Sequence, residues 1–372
     1  MQRHIIHTLL VVFIAVAAGL TGCSKSSDDH LKIGIAGVRT GTDGSIGGAM
    51  INGSIIAVDE WNAKGGVLGK KVELVIRDDE GKPDKAVSVA RELVSNGVAA
   101  VIGHFNSGCT IPSSPIYNEA KILQITPGST NPKVTEQGFP ALFRIIGRDD
   151  QQGTIAAKFM REKLGLTKIA VLHDKTAYGE GFANEVKKTF LANGGQVVVF
   201  DGIPRTELDF RANIAVIKSS GAQALLWGGM YSQSGPLYLQ LRLAGLDIPF
   251  VSGNGTIDPN FLDTVGASAS NIYITFGPDY ENLPAAQPFI KKYRSLYGKE
   301  GAYSVYGYDA ANVLLEAIQT AGSADAAKVA AVLREKTFNT VLGPVSFDAK
   351  GDLKQSNDIL WTVKDSKFVP AP

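Results

Sequence analysis

Cysteine is nearly absent from this 372-residue sequence, which contains only Cys23 and Cys109. The two positions lie far apart and lack metal-ligand spacing, so they offer neither a disulfide scaffold nor a zinc site of the usual kind. Charge of one sign is also lacking, because 37 Lys+Arg residues stand against 36 Asp+Glu residues. A nearly neutral chain has no overall attraction for nucleic acid or for an acidic membrane surface, and we expect no nucleic-acid partner.

The sequence signatures of common enzymes are missing as well. No G-x-S-x-G or H-E-x-x-H motif occurs, and Gly69 and Lys70 lack the other residues of a P-loop. The segment "SGNGTID" has Asp258 where a dinucleotide fingerprint requires its third glycine. We therefore expect no enzymatic activity, no cofactor and no metal.

The N-terminus has the composition of an export signal. Arg3 precedes an apolar run at 9–18, which is shorter than the roughly 20 residues that a helix needs to cross a bilayer. Residues 20–22 lead into Cys23 and resemble a bacterial lipobox, in which the cysteine thiol becomes lipidated after cleavage. We expect the mature protein in the periplasm or at the cell surface, anchored to the membrane through Cys23. The predicted segments are a signal peptide over 1–22 and a tether over 23–30.

Short apolar runs rich in Val and Ile alternate with segments of helical period through most of the mature chain. This alternation is typical of parallel sheets built from right-handed strand–helix–strand units. Most of the runs are apolar throughout, as expected for strands covered on both faces. Because the pattern occurs twice, on either side of a loop-like passage at 147–150, the sequence predicts an α/β protein with two Rossmann-like lobes.

The pattern changes after Ile274, where three more helices, a hairpin and a last strand "DILWTVK" are predicted. These elements must complete lobes already begun, so chain crossings near 148, 277 and 355 would form a three-strand hinge. The predicted lobes are 31–148 plus 278–355 and 149–277 plus 356–372. The predicted helices are 47–62, 84–96, 151–163, 181–193, 210–219, 285–297, 303–321 and 325–336.

Two strand-to-helix turns are rich in small polar residues. The segment "VIGHFNSGCT" follows a buried strand and directs the Ser107 hydroxyl and free backbone N–H groups to the carboxyl edge of the sheet. The segment "LQITPGSTNP" repeats this arrangement one strand later with Gly128, Ser129 and Thr130. Ligands of open α/β sheets bind at this edge, so the turns predict a seat for a carboxylate. Alternatively, Ser107 and Thr130 only cap helices.

The leader and six further segments, taken in order, resemble the leucine/isoleucine/valine-binding proteins of bacterial ABC importers. The resemblance extends from about residue 31 to residue 354. It implies a type I periplasmic binding protein, whose two lobes close on an amino acid that a membrane permease then receives. The six segments are "WNAKGGVLGKKVELVIRDDEGKPDKAV", "VIGHFNSGCT", "ITPGSTNP", "FRIIGRDDQQG", "VLHDKTAYGEG" and "VLGPVSFDAKGDLK".

The resemblance also implies roles for particular residues. Ser107 and Thr130 would bind the α-carboxylate of the ligand through side chain and backbone N–H. The Gly128 carbonyl and the Thr130 hydroxyl would meet its ammonium group, and Tyr178 would complete the site from the second lobe. The ligand-binding positions implied in this way are Ser107, Gly128, Ser129, Thr130, Tyr178, Met230 and Asn254.

Several positions depart from the family pattern. An aromatic residue near the pocket mouth is replaced by Ile46, and a tyrosine after paired glycines is replaced by Met230. The disulfide of the family is missing, since its two positions hold Gly81 and Asn106. These changes make the side-chain end of the pocket the least predictable part of the site.

The acid that pairs with the ammonium group in the family is replaced by Asn254. This change matters most, because burying an ammonium group without a counter-charge costs several kcal/mol. Either another acid supplies the charge, with Asp279 and Asp309 as candidates, or the ligand is not a standard α-amino acid. Asp309 could equally be an acid at a helix start, which we favour.

The sequence therefore favours a lipid-anchored, monomeric solute-binding protein of an ABC importer that takes a branched-chain or other apolar amino acid. Its partners would be this small molecule and the permease subunits. The same fold could instead bind an amide, a urea-like compound or a simple carboxylate, as Asn254 would permit. Further alternatives are an extracytoplasmic sensor that signals to a membrane receptor, and an exported enzyme.

Overall fold

A computed structural model of the protein describes residues 30–372. The predicted signal peptide, the lipidation site Cys23 and all but the last residue of the predicted tether lie outside the described residues. Within the described range, no helix has both the length and the apolar character that a membrane span requires.

The first lobe begins with five parallel strands, which are covered by helices. Its elements are β1 (His30–Gly37), α1 (Gly44–Ala63), β2 (Lys71–Asp78), α2 (Pro83–Ser95), β3 (Ala100–Gly103), α3 (Ser107–Glu119), β4 (Leu123–Thr126), α4 (Lys133–Glu136) and β5 (Leu142–Arg144). The strand order is β2-β1-β3-β4-β5. All four residues of β3 and of β4 are buried, as expected for strands inside a doubly covered sheet.

The second lobe repeats the strand–helix alternation. Its elements are α5 (Asp149–Lys158), β6 (Lys168–His173), α6 (Ala177–Ala192), β7 (Gln196–Gly202), α7 (Arg211–Ser220), β8 (Leu225–Gly228), α8 (Tyr231–Leu243), β9 (Phe250–Ser252), α9 (Pro259–Val265) and β10 (Ile272–Phe276). Helix α5 continues into a π-helical turn at Phe159–Lys163. The two Rossmann-like lobes expected from the sequence are confirmed.

The C-terminal part of the chain adds to both lobes. Its elements are α10 (Gln287–Tyr297), α11 (Ser304–Ala321), α12 (Ala326–Glu335), β11 (Phe338–Thr340), β12 (Gly343–Val345), β13 (Ile359–Lys364) and β14 (Lys367–Pro370). Helix α11 packs along α1 of the first lobe, whereas β13 pairs with β10 of the second. The chain thus passes between the lobes three times, and the residue numbers assigned to the lobe boundaries stay a prediction.

The predicted helices are all present, although their ends are displaced. Among the helix starts, the largest displacement is at α6, which begins at Ala177 because the Thr176 side chain accepts a hydrogen bond from the Gly179 N–H and caps the helix earlier than expected. Helix α8 was not predicted, since Pro236 interrupts its helical pattern.

The prediction that "DILWTVK" is the last strand is wrong, because β14 follows it. The second sheet has the order β14-β13-β10-β9-β8-β6-β7. Strand β13 runs antiparallel to both of its neighbours, β10 and β14. Asp365 and Ser366 both have positive φ angles, 50° and 56°, and make the two-residue turn between β13 and β14. Positive φ at both turn positions matches the twist of a tight hairpin, but Asp-Ser is a weak sequence signal for it.

Candidate functional site

A small cavity lies where the carboxyl ends of strands from both sheets face each other. The loops after β3 and β4 form its first-lobe wall, and the loops after β6, β8 and β9 form its second-lobe wall. Ligands of open α/β sheets bind at this edge. Five of the seven predicted ligand-binding residues line the cavity, namely Ser107, Gly128, Tyr178, Met230 and Asn254.

Ser107 is the first residue of α3 and is almost fully buried. Its hydroxyl accepts a hydrogen bond from the Asn131 N–H at 3.3 Å, so it joins the two polar turns and does not cap its own helix. The first N–H groups of a helix have no partner within the helix and attract anions. The start of α3 and the Ser107 side chain can therefore hold a carboxylate.

The two hydroxyl groups of the Gly128–Thr130 turn have different surroundings. The Ser129 hydroxyl bonds to the Thr110 hydroxyl at 2.6 Å and to the Phe105 carbonyl at 3.0 Å. These bonds fix the turn, and Ser129 itself does not line the cavity. The Thr130 hydroxyl is fully buried and lies beside the Asp149 carboxylate, and it forms no hydrogen bond of standard geometry among the described residues. A Cβ atom on Gly128 would lie 2.4 Å from the Phe105 ring, so this close approach requires glycine.

The second-lobe wall carries one fixed and one unpartnered polar group. The Tyr178 hydroxyl accepts a hydrogen bond from the Gly255 N–H at 2.9 Å, and the residue is 7% exposed, so Tyr178 is a buried part of this wall and not a surface aromatic. The Asn254 side chain is buried, and its Nδ2 has no hydrogen-bond partner within residues 30–372. Asn254 therefore offers N–H donors, where the family pattern has an acid.

Two aromatic residues that sequence reasoning missed complete the apolar side of the cavity. The rings of Phe105 and Tyr303 meet edge to face with centroids 4.8 Å apart, and both residues line the cavity together with Met230. Phe105 lies within one of the polar turns and was overlooked beside its hydroxyl-bearing neighbours. Tyr303 precedes α11, far from the other site residues in the chain, and carries no local sequence signal.

Asp149 is a further residue that the sequence did not single out. It begins α5, is fully buried, and its N–H donates to the Thr130 carbonyl at 2.9 Å. Neither carboxylate oxygen has a hydrogen-bond partner among the described residues. Burial raises the pKa of Asp149 to about 7, although the nearby Thr130 hydroxyl and the Arg144 charge act in the opposite direction. The segment "GRDDQQG" gave no indication which of its two acids would be buried.

The two acids suggested as replacements at the site lie elsewhere. Asp309 is inside α11, where its carboxylate accepts hydrogen bonds from the N–H groups of Val341 and Leu342, both at 3.2 Å. The interpretation of Asp309 as an acid at a helix start is therefore wrong. Its carboxylate instead binds the turn between β11 and β12. Asp279 lines a separate groove beside Tyr280, outside the small cavity.

The first lobe joins the ends of β2 and β3 without a disulfide. A Cβ atom on Gly81 would lie 3.4 Å from Asn106 Oδ1, so the two positions that carry the disulfide in the family are adjacent here. Near them, the buried His104 Nδ1 lies 2.6 Å from Asp79 Oδ2, and His104 Nε2 lies 3.0 Å from the Tyr117 hydroxyl. This buried polar network connects the same strand ends beneath the Ser107 turn.

The lobes also touch at the edge of the cleft. The Arg205 guanidinium donates to both carboxylate oxygens of Asp43, at 2.6 and 2.7 Å, and the Tyr231 hydroxyl donates to the Thr42 carbonyl at 2.7 Å. On the other side, the Asn131 amide donates to the carbonyl of Ala177. These contacts between lobes correspond to a closed cleft.

Comparisons with known proteins agree with this geometry. The family described as periplasmic binding protein matches residues 30–364. A Leu/Ile/Val-binding protein homolog from Brucella suis is 40% identical over 350 residues, which are 94% of each chain. A leucine-binding protein from Thermotoga maritima has 30% identity and a TM-score of 0.86, covering 92% of this chain and 98% of its own. A branched-chain amino acid transporter substrate-binding protein from Streptococcus pneumoniae, in complex with isoleucine, has 29% identity and a TM-score of 0.83, covering 91% and 97%.

Proposed function

The chain belongs to the periplasmic binding protein family, and on that premise we propose that it is the extracytoplasmic solute-binding protein of an ABC importer. We propose a branched-chain or other apolar amino acid as its ligand. The relatives named as binding leucine, isoleucine or valine support this ligand class, and the resemblance and the fold expected from the sequence are confirmed. The proposal includes no chemical reaction.

The observation that carries the proposal is the position of the cavity between the two lobes. One wall offers the Ser107 hydroxyl and the start of α3, and the other offers Tyr178 and Asn254. A solute held by both walls stabilises the closed arrangement over an open one by the contacts that only the closed state provides. The permease subunits would then recognise the closed surface.

The composition of the cavity supports a small, partly apolar ligand. A carboxylate at the Ser107 turn places the rest of the molecule near Phe105, Met230 and Tyr303, which offer apolar surface. The cavity is small, which favours a compact solute over a nucleotide or an oligopeptide.

A thermal-shift screen of the standard amino acids, short amides and short carboxylates tests the proposal. A ligand at about 100 times its dissociation constant adds about 2.7 kcal/mol to the free energy of unfolding. We expect the largest shift with leucine, isoleucine or valine, and little shift with the same ligands in the Ser107→Ala variant. If no amino acid raises the melting temperature at millimolar concentration, the proposal is wrong.

A second ligand class is favoured by one observation, the unpartnered Asn254 Nδ2. Its N–H groups would suit a ligand that presents an acceptor to the second lobe, such as an amide or a second carboxylate. Calorimetry with leucine and with its des-amino analogue separates the two classes. Equal affinity for the des-amino analogue would favour this second class over an amino acid.

The lipid anchor is a separate proposal, since Cys23 lies outside the described residues. We propose that export and lipidation tether the mature chain to a membrane through this thiol. Incorporation of a labelled fatty acid in the producing cell tests it, with Cys23→Ser expected to abolish labelling. Cys109→Ser is the matched control because this cysteine is buried inside the first lobe.

A further inference from the structure

The groove beside Tyr280 lies outside the cleft cavity and has no part in the proposed function. Its volume is about 490 Å³, within the range of about 300–1,000 Å³ that is usual for small-molecule sites. Its first-lobe wall is formed by the 3₁₀ turn at Tyr280–Asn282 and the loop before α11. Its second-lobe wall is formed by α9, β13 and β14. The groove therefore joins the two lobes at a second place, beside the cleft.

The floor of the groove is apolar. Trp361 is 7% exposed, and its indole N–H donates to the Gly277 carbonyl at 2.9 Å, which fixes the ring. Phe368 of β14 is partly buried and stacks on Phe261 with the ring centroids 6.2 Å apart. Leu262 adds apolar surface from α9. This floor provides surface on which the apolar body of a ligand is removed from water.

Two cations lie at the rim of the groove, one on each lobe. Lys299 precedes α11 in the first lobe, and Lys367 begins β14 in the second. Both residues are exposed, and neither forms an ion pair or a hydrogen bond with any of residues 30–372. Unpaired ammonium groups beside an apolar floor are complementary to an anion that carries an apolar body.

The acids at the same rim already have partners. The Arg294 guanidinium donates to the Glu300 carboxylate at 2.5 Å and lies 3.7 Å from that of Glu281. The Asp279 carboxylate accepts a hydrogen bond from the side-chain amide of Asn282 at 2.6 Å. Among the described residues of the rim, the two lysines are thus the charged groups that still lack a partner.

We propose that the groove beside Tyr280 is a second binding site, which takes an organic carboxylate with an aromatic or aliphatic body. The body lies on the Trp361 and Phe368 rings, and the carboxylate pairs with Lys299 and Lys367. Because the walls and the two lysines belong to different lobes, the occupant bridges the lobes and stabilises the closed arrangement. The cleft ligand stabilises the same arrangement, so each ligand raises the affinity for the other.

Titration calorimetry with three probes that share one apolar body tests the charge preference of the groove. The probes are 4-phenylbutanoate, 4-phenylbutanamide and 4-phenylbutylamine, which are anionic, neutral and cationic at pH 7. We expect 4-phenylbutanoate to bind most tightly, and acetate, which lacks the apolar body, not to compete with it. Tighter binding of the amine would show that Asp279 and the other rim acids decide the preference, and equal binding of all three would remove the role of the lysines. Either result overturns the proposal.

Variants of the two lysines locate the bound probe. Lys299→Gln and Lys367→Gln should each raise the dissociation constant of 4-phenylbutanoate by roughly 1.5- to 5-fold, the range for an exposed ion pair, and leave that of the neutral amide unchanged. Lys291→Gln is the matched control, since this exposed lysine of α10 does not line the groove. If Ser107→Ala weakens binding of the probe and the lysine variants do not, the probe occupies the cleft and the proposal is wrong.

Coupling between the two sites is the second readout. With 4-phenylbutanoate at saturation, the dissociation constant of the best cleft ligand from the thermal-shift screen should fall by about fivefold or more. An unchanged dissociation constant would show that the occupant does not bridge the lobes. If 4-phenylbutanoate does not bind at millimolar concentration, the second site is wrong while the solute-binding function stands. If the probe binds in the groove but no solute of the screen binds in the cleft, the proposed function fails and the second site stands.

Discussion

Replacing Arg205 with glutamine should weaken ligand binding without weakening the fold of either lobe. Arg205 belongs to the second lobe, and its guanidinium pairs with both oxygens of Asp43 in the first. The Asp43 side chain is 2% exposed and that of Arg205 is 24% exposed. Because the partners lie on different lobes, opening the cleft separates them and returns both charges to water.

The expected loss of binding free energy follows from the ion pair that the closed state loses. Removing one partner of a buried ion pair costs about 3–5 kcal/mol, and the partial exposure of Arg205 reduces this to about 2–3 kcal/mol. In the variant, Asp43 would keep only the distant Asn106 amide at 3.5 Å. Since the loss applies to the closed state alone, the dissociation constant should rise by roughly 30- to 150-fold.

Calorimetric titration with the best ligand of the thermal-shift screen measures the effect. Arg211→Gln is the control, because the same substitution there breaks a pair with Asp209 in which the two side chains are 83% and 51% exposed. Adding Asp43→Asn to Arg205→Gln should recover part of the affinity, since it removes the unpaired buried charge. A dissociation constant for Arg205→Gln within threefold of that for Arg211→Gln would refute the closed-state reasoning.

Further predictions concern the turn hydroxyls and the buried acids. Thr130→Val should remove the ligand-induced thermal shift, and it should raise the pKa of Asp149 further, because the Thr130 hydroxyl stabilises the ionised carboxylate. Ser129→Ala should instead lower the melting temperature of the empty protein by an amount equivalent to about 1–3 kcal/mol, because it leaves buried partners of the hydroxyl unsatisfied. Asp149→Asn should stabilise the empty protein by up to about 4 kcal/mol above pH 7, since the folded pKa lies above the unfolded value, and the gain should shrink as the pH falls towards 4. For Asp352 the pH dependence of stability is reversed. Burial raises its pKa, but the charges of Arg144 and Arg148 outweigh burial and lower it. The stabilising contribution of Asp352 is therefore present above about pH 4 and lost below. Asp352→Asn should therefore destabilise the protein by about 3–5 kcal/mol at pH 7 in chemical denaturation, and by little at pH 3.

The sequence was informative wherever local pattern decides structure. Strands β3 and β4 are followed at once by polar turns, so the sequence alone places Ser107 and Gly128 at the edge of a sheet. The resemblance then correctly brought Tyr178 and Asn254 to the same cavity. Their binding roles stay predictions, as does the role of Thr130.

The features that the sequence did not reveal depend on contacts between distant parts of the chain. Tyr303 reaches the cavity because α11 packs on α1, and Arg205 meets Asp43 across 162 residues of sequence. Asp149 and Asp150 are adjacent and chemically identical, and Asp149 is fully buried because α5 packs on α6 and its first N–H donates to the Thr130 carbonyl. No period or motif distinguishes such residues in a single sequence.

The most direct test of the central claim is a crystal structure grown with leucine. We expect density for one leucine between the lobes, with its carboxylate at Ser107 and the start of α3 and its ammonium group at the turn that contains Gly128 and Thr130. Leucine bound in the groove beside Tyr280, or an empty cavity at saturating ligand in crystals that diffract well, would contradict the proposed site.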